Sequence, residues 1–140
     1  MTGTKVAYDL DTQVGFLLRQ VTQRHLGIFA ARVPDVTPTQ FAALAKLSVL
    51  GPTSQNALGR ATAMDAATIK GVVDRLKIRG YVETRRDPDD QRRIFVAPTP
   101  AGQSLFDANV DAALQISDET LAPLSGRERE TLLGLLNKLT

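Results

Sequence analysis

The sequence predicts a mainly α-helical domain with one small β-hairpin, and three observations predict it. Apolar residues recur at helical spacing in six segments of the 140-residue chain. One stretch departs from that period. There Tyr81-Val82-Glu83-Thr84-Arg85 alternates, the charged loop DPDDQRR follows, and Ile94-Phe95-Val96 returns as an apolar run. Just upstream, two helical segments separated by a tight turn, the second one longer, have the layout of a helix-turn-helix. A helix-turn-helix followed by a hairpin is a winged helix-turn-helix, here flanked by apolar helices at both ends of the sequence.

The first helix is expected from about Tyr8 to Ala31, because Leu10, Val14, Leu17, Leu18, Val21, His25 and Ile28 fall on one face. Pro34 biases Val33 away from helical geometry and ends it. Thr37-Pro38-Thr39-Gln40 opens the second helix. Thr37 is the N-cap, Pro38 suits the first turn, and Gln40 completes a capping box. Phe41, Leu44, Leu47 and Val49 follow, up to Gly51-Pro52. The third helix is expected to start at Thr53-Ser54-Gln55 and run to about Thr62, with Ala57, Leu58 and Ala61 inward. Asp65 caps the fourth, whose buried stripe is Ile69, Val72, Val73 and Leu76 and which ends at Gly80. Beyond the two-stranded hairpin, Thr99-Pro100 opens a fifth helix containing Leu105, Val110, Leu114 and Ile116. Ser125-Gly126-Arg127-Glu128 is a second capping box, ahead of Leu132, Leu133, Leu135, Leu136 and Leu139.

Outer helices this apolar need a partner. Packing them against the same elements of a second copy buries both and gives two-fold symmetry. Folding back on their own subunit is the other arrangement that the pattern allows. The expected organisation is one domain over residues 1–140. Its DNA-binding lobe spans about 37–98, between dimerisation helices at about 8–32 and 99–140.

Composition narrows the function. The chain has no cysteine, which excludes disulfides, thiolate metal sites and cysteine nucleophiles, and a single histidine argues against a histidine metal site. No cofactor is expected. No segment approaches the 18 or so consecutive apolar residues of a membrane span. The N-terminal MTGTKVAYDLD lacks an apolar signal core, so a cytoplasmic location is expected. The net charge of +2 is unevenly spread. Residues 53–100 carry nine Lys/Arg against six Asp/Glu, and residues 101–140 carry three against six. A basic middle on an acidic scaffold suits a nucleic-acid surface.

The fourth helix carries Ala67, Gly71 and Asp74 opposite its core stripe, flanked by Thr68, Lys70 and Arg75. Small residues let the helix axis approach base edges. Ala67 and Thr68 can touch a thymine methyl, Lys70 can donate to guanine O6 and N7, and Arg75 and Lys77 lie toward phosphates. A plain solvated helix face carries the same residue types, so the wing decides. Arg92 stands two residues after Asp90, a carboxylate that can hold the guanidinium extended for a narrow minor groove. Arg85, Arg86 and Arg93 add charge nearby. The aspartates of the tip lack EF-hand spacing.

TPTQFAALAKL, the segment MDAATIKGVVDRLKIRGYVE, the D-x-R wing Asp90-Gln91-Arg92, and TPAG at Thr99 to Gly102 together resemble the MarR family of winged-helix regulators. The resemblance runs from about residue 8 to residue 139. It implies a homodimer that binds pseudo-palindromic operator DNA, usually as a repressor, often released by small aromatic or phenolic ligands. It also implies that Thr68, Lys70 and Arg75 occupy recognition-helix positions, Arg92 the wing position, and Ser54 and Gln55 the phosphate-contacting start of the third helix. The chain departs from the family at Ala66-Ala67, where arginine-serine is common, so no base preference carries over.

His25 sits on the apolar face of the first helix. It is either a partly buried histidine satisfied by a neighbour or a donor to an anionic ligand in a cleft between scaffold and DNA-binding lobe. Arg19 and Arg24 would add charge there, and Phe16, Phe29 or Phe41 an aromatic surface. An enzyme is not expected: there is no G-x-S-x-G, H-E-x-x-H or P-loop, and the lone histidine has no evident triad partners. A winged helix that binds protein rather than DNA is the remaining alternative, and the four wing arginines weigh against it.

Overall fold

The order of helices follows from their caps. In the computed structural model, which describes residues 6–140, α1 spans Val14–Arg32, α2 Pro38–Leu50, α3 Gln55–Ala61, α4 Ala66–Ile78, α5 Pro100–Thr120 and α6 Gly126–Lys138. Both expected capping boxes form. Thr37 Oγ1 accepts the Gln40 N–H at 3.2 Å while Gln40 Oε1 accepts the Thr37 N–H at 3.3 Å. Ser125 and Glu128 make the same exchange at 3.2 and 2.9 Å. The Ser125 N–H, then its hydroxyl, hold the Glu128 carboxyl below its ordinary pKa.

The first helix differs at its start. A separate 3-10 turn at Leu10–Thr12, capped by Asp9, precedes it, and Gln13 is extended, so α1 begins at Val14 rather than near Tyr8. Asp9 prefers to bond its own neighbours, accepting the Asp11 N–H at 3.1 Å, and that local turn competes with helix.

The hairpin is larger than expected. Strands β2 (Val82–Arg86) and β3 (Ile94–Pro98) pair antiparallel with Thr84 opposite Val96. A two-residue strand, β1 (Thr53–Ser54), adds to the other side of β3, giving three strands in the order β1-β3-β2. Thr53 is therefore not the opening of the third helix. It continues extended from Pro52 and pairs with Val96, and Ser54 becomes the N-cap of α3. Ala61, expected inward, is exposed, and Gly59 is buried in its place. A Cβ on Gly59 would stand 3.1 Å from both Ile69 Cγ2 and the Met64 carbonyl, so the helix-turn-helix closes tightly on this glycine. The turn also holds Ala63 at φ 55°, a left-handed conformation in which a side chain is strained.

Helix α4 is fixed at both ends. Asp65 accepts the Thr68 N–H at 2.7 Å. At the C-terminus Gly80, at φ 79°, forms a Schellman turn in which the Tyr81 N–H bonds the Leu76 carbonyl at 2.9 Å and the Gly80 N–H bonds that of Lys77 at 3.0 Å. Its buried stripe is the expected one. Ile69, Val72, Val73 and Leu76 join Leu44, Leu47, Leu58, Val82 and Val96 in the main core. Each such side chain contributes about 1.5–3 kcal/mol through burial. A second core of Phe29, Val33, Val36 and Ile116 ties α1 to α5, with Phe29 edge-on to Phe41. Leu105 of α5 touches both cores, so the end helices and the winged helix-turn-helix share one connecting helix.

The stripe read on the first helix is not buried within the chain. Leu10, Val14, Leu17, Leu18 and Val21 are all exposed, and α6 has no buried residue although Leu133 and Leu135 lie on it and Leu139 caps its end. No helix among the described residues is long and apolar enough to cross a membrane.

Candidate nucleic-acid interface

Three elements meet around a polar groove. Gln55 at the start of α3, Val73, Asp74 and Lys77 of α4, and Thr84, Arg85, Arg86 and Ile94 of the sheet line a cavity of about 330 Å³. A smaller recess of about 40 Å³ lies beside it between Ser54, Gln55, Asn56, Arg92, Arg93 and Ile94. The fold thus brings Gln55, Arg86 and Arg92, distant in sequence, to one rim, with α4 running along it.

On α4 the side opposite the core is exposed at Ala67, Thr68, Lys70 and Asp74, and Gly71 is half-buried. Arg75 folds back over Gly71, where an added Cβ would lie 3.0 Å from its Nη1. Lys70 Nζ is 2.7 Å from Asp74 Oδ2. Asp65 is held below its ordinary pKa, first by the Thr68 backbone N–H and then by the Thr68 hydroxyl. Thr68 is thereby partly engaged in capping its own helix. Ser54 is likewise occupied: it is buried, and its Oγ accepts the Ala57 N–H at 3.2 Å. It shapes the first turn of α3, which carries Gln55 and the exposed Asn56; Asn56 lines the recess beside Arg92 and was missed by sequence reasoning because only the meeting of α3 with the wing gives it a place.

The wing tip is built from its own aspartates. Asp87 accepts the Asp89 N–H at 2.9 Å, and Asp90 accepts the Arg92 N–H at 3.1 Å. Asp90 also holds Arg92 Nε at 3.3 Å, in a pair where the arginine side chain is 93% exposed. The guanidinium is therefore oriented yet fully presented. Arg86 donates from Nη1 to the Gln91 carbonyl at 2.9 Å and braces the tip. Arg85 and Arg93 lie over the Phe95 ring at 6.0 and 5.1 Å, on the sheet side of the wing.

The residues expected around a ligand are not gathered in one cavity among the described residues. Phe29 is in the core. His25 Nδ1 is 2.8 Å from Thr120 Oγ1, which satisfies one ring nitrogen. Arg19 is exposed and Phe16 half-buried, both further toward the start of α1. Arg24, not Arg19, binds the end of α5, donating to the Thr120 and Glu119 carbonyls at 2.6 and 2.9 Å, where the helix dipole favours a cation. A cleft of about 470 Å³ does open between the end of α1 and the start of α2, lined by Leu26, Phe29, Val36, Gln40 and Arg79. Arg79 there donates to Gln40 Oε1 at 3.2 Å and lies over the Tyr81 ring.

Comparison with known proteins identifies the family. The MarR family model matches residues 35–93. The HTH-type transcriptional repressor NicR of Pseudomonas putida is 44% identical over 134 residues, covering 94% of this chain and 85% of that one. The chain belongs to the MarR family. Among solved structures, a probable transcriptional regulator from Pseudomonas aeruginosa is 53% identical with a TM-score of 0.90, covering 94% of this chain and all of that one. BpsR of Bordetella bronchiseptica, whose DNA binding is regulated by 6-hydroxynicotinic acid, is 38% identical with a TM-score of 0.91, covering 96% and 97% of the two chains. This MarR-family chain is accordingly a winged-helix, DNA-binding transcriptional regulator, in a family of regulators rather than enzymes.

Proposed function

We propose that this MarR-family protein is a homodimeric repressor that binds a pseudo-palindromic operator and is released by a small anionic aromatic ligand. The observation that carries the DNA reading is the convergence of Gln55, α4 and the wing arginines on one rim. In this reading Ala67, Thr68, Lys70 and Gly71 face base edges, and Arg75 faces phosphate. Gln55, positioned by Ser54, faces phosphate as well. Arg92, oriented by Asp90 and supported by the Arg86 brace, enters the minor groove. The exposed apolar stripe of α1 together with α6 supports the dimer.

The ligand class follows from two relatives. NicR is a repressor, and BpsR responds to 6-hydroxynicotinic acid, an aromatic ring bearing a carboxylate. His25 is the proposed recognition residue, with Arg19 and Phe16 on the same helix and Phe29 in the core behind it. Thr120 holds the ring through Nδ1 and leaves Nε2 for a ligand carboxylate or phenolate.

Selection of bound duplex from a random pool, followed by titration of the complex with 6-hydroxynicotinic acid, tests both parts. Recovery of a two-fold symmetric site, released by the acid, is the expected result. His25→Ala should then raise the acid concentration needed for release and leave ligand-free DNA affinity nearly unchanged. Selection of no DNA would instead favour a winged helix that docks on protein.

A further inference from the structure

Lys70 and Asp74 stand one turn apart on the exposed face of α4, paired at 2.7 Å. As a surface ion pair this contributes little to stability. Its position gives it another consequence. Asp74 lines the groove beside Lys77 and Arg86 and is the one carboxylate on α4 beyond the N-cap Asp65. A negative charge there repels phosphates and weakens binding to every duplex alike. A compensating gain must then come at particular base pairs.

The major-groove edge of a G·C pair presents, in order, guanine N7 and O6 as acceptors and the cytosine N4 amino group as a donor. An ammonium followed by a carboxylate is the complementary order. The spacing also matches: Nζ and the carboxylate oxygen are 2.7 Å apart, and the hydrogen-bonded O6 and N4 of the pair are roughly 2.9 Å apart. We propose that Lys70 and Asp74 act as one unit that reads a G·C pair. Lys70 donates to guanine, and Asp74 accepts from the cytosine amino group. At an A·T pair the thymine O4 and methyl replace the donor that Asp74 needs, so the carboxylate discriminates by repulsion. This inference rests on α4 being the reading helix, as proposed above.

The test starts from the site that the wild-type dimer selects and measures binding to every single base-pair change, and to random duplex, at one salt concentration. Asp74→Ala should bind random DNA several-fold more tightly, because one repulsive charge is gone. The same variant should lose about tenfold of its preference at one G·C pair. Asp74→Asn, nearly isosteric, should lose the discrimination against A·T at that position, since its amide NH2 can donate to thymine O4 where the carboxylate is repelled. Lys70→Ala should relax the same position, and the double variant should lose no more than either single one. Intact G·C preference in both Asp74 variants, or relaxation at a different position from that of Lys70→Ala, overturns the unit. Selection of no DNA by the wild type overturns the assignment of the interface itself.

Discussion

Gly102 shows how much a single position can carry. It is buried in the first turn of α5, and a Cβ there would lie 2.0 Å from the Tyr81 carbonyl oxygen. That carbonyl also accepts the Thr99 N–H at 3.1 Å, and the Thr99 hydroxyl donates to the Gly80 carbonyl at 2.6 Å, so the start of α5 is pressed against the backbone that follows α4. Backbone cannot yield as a flexible side chain can. Gly102→Ala is therefore expected to destabilise the fold by about 1–3 kcal/mol or more, read as a lower midpoint in urea. Asp65 gives a prediction with a sign in pH. Its folded pKa is depressed, first by the Thr68 N–H, so its stabilisation is present above the ordinary aspartate value and is lost as pH falls through the lower folded value. Asp65→Asn keeps an N-cap acceptor but does not titrate. Thermal midpoints of the two proteins should therefore differ more at neutral pH than at pH values below the ordinary aspartate pKa of 3.8. A difference independent of pH would show that the charge of Asp65 is irrelevant to α4.

At the scale of elements, the helices were legible because their ends are written in local chemistry. Thr37, Asp65, Thr99 and Ser125 each cap the helix expected of them. What escaped was non-local or competed locally. Strand β1 is two residues long, and nothing near Thr53 announces its pairing with Val96 in β3. The Asp9 turn displaced the start of α1 in the same way that any short aspartate turn competes with helix. The wing arginines were legible as charge, but their division of labour was not, since Arg86 reaches the Gln91 carbonyl while Arg92, paired with Asp90 through Nε, stays exposed. The ligand set was least legible, because apolar spacing along one helix does not say which neighbour faces it. The wing and α4 are expected to separate by kind of contact. Arg92→Ala should weaken binding most at sites with A·T-rich, narrow-groove flanks. Arg86→Ala should weaken all sites, because it loosens the tip. Arg75→Ala should lower the slope of log affinity against log salt by about one. Titrations on two flanking sequences at several salt concentrations measure all three, and equal loss everywhere would refute the assignment.

At the scale of the molecule, most of the exposed large apolar residues sit toward the two ends of the chain, and the excess of basic over acidic residues sits in its middle. Leu17, on the α1 stripe, is 46% exposed, and Leu133, on α6, is 53% exposed. If these faces close on a second copy, two α4 helices stand on one side of the assembly, ready for major-groove sites about one helical turn or 34–36 Å apart. Each protomer then contributes its own set of phosphate contacts, and the salt slope counts them. A Leu17→Glu, Leu133→Glu double variant places charge in both faces and leaves the winged helix untouched. It should sediment as a monomer at micromolar concentration. On the full operator it should bind with about half the wild-type salt slope, because one protomer releases half the counterions. Affinity should fall by more than the loss of contacts in one protomer alone, since the second half-site no longer binds at high effective concentration. A variant that is monomeric yet keeps the full slope and affinity would mean that one winged helix makes every contact, and the outer helices would then need another purpose.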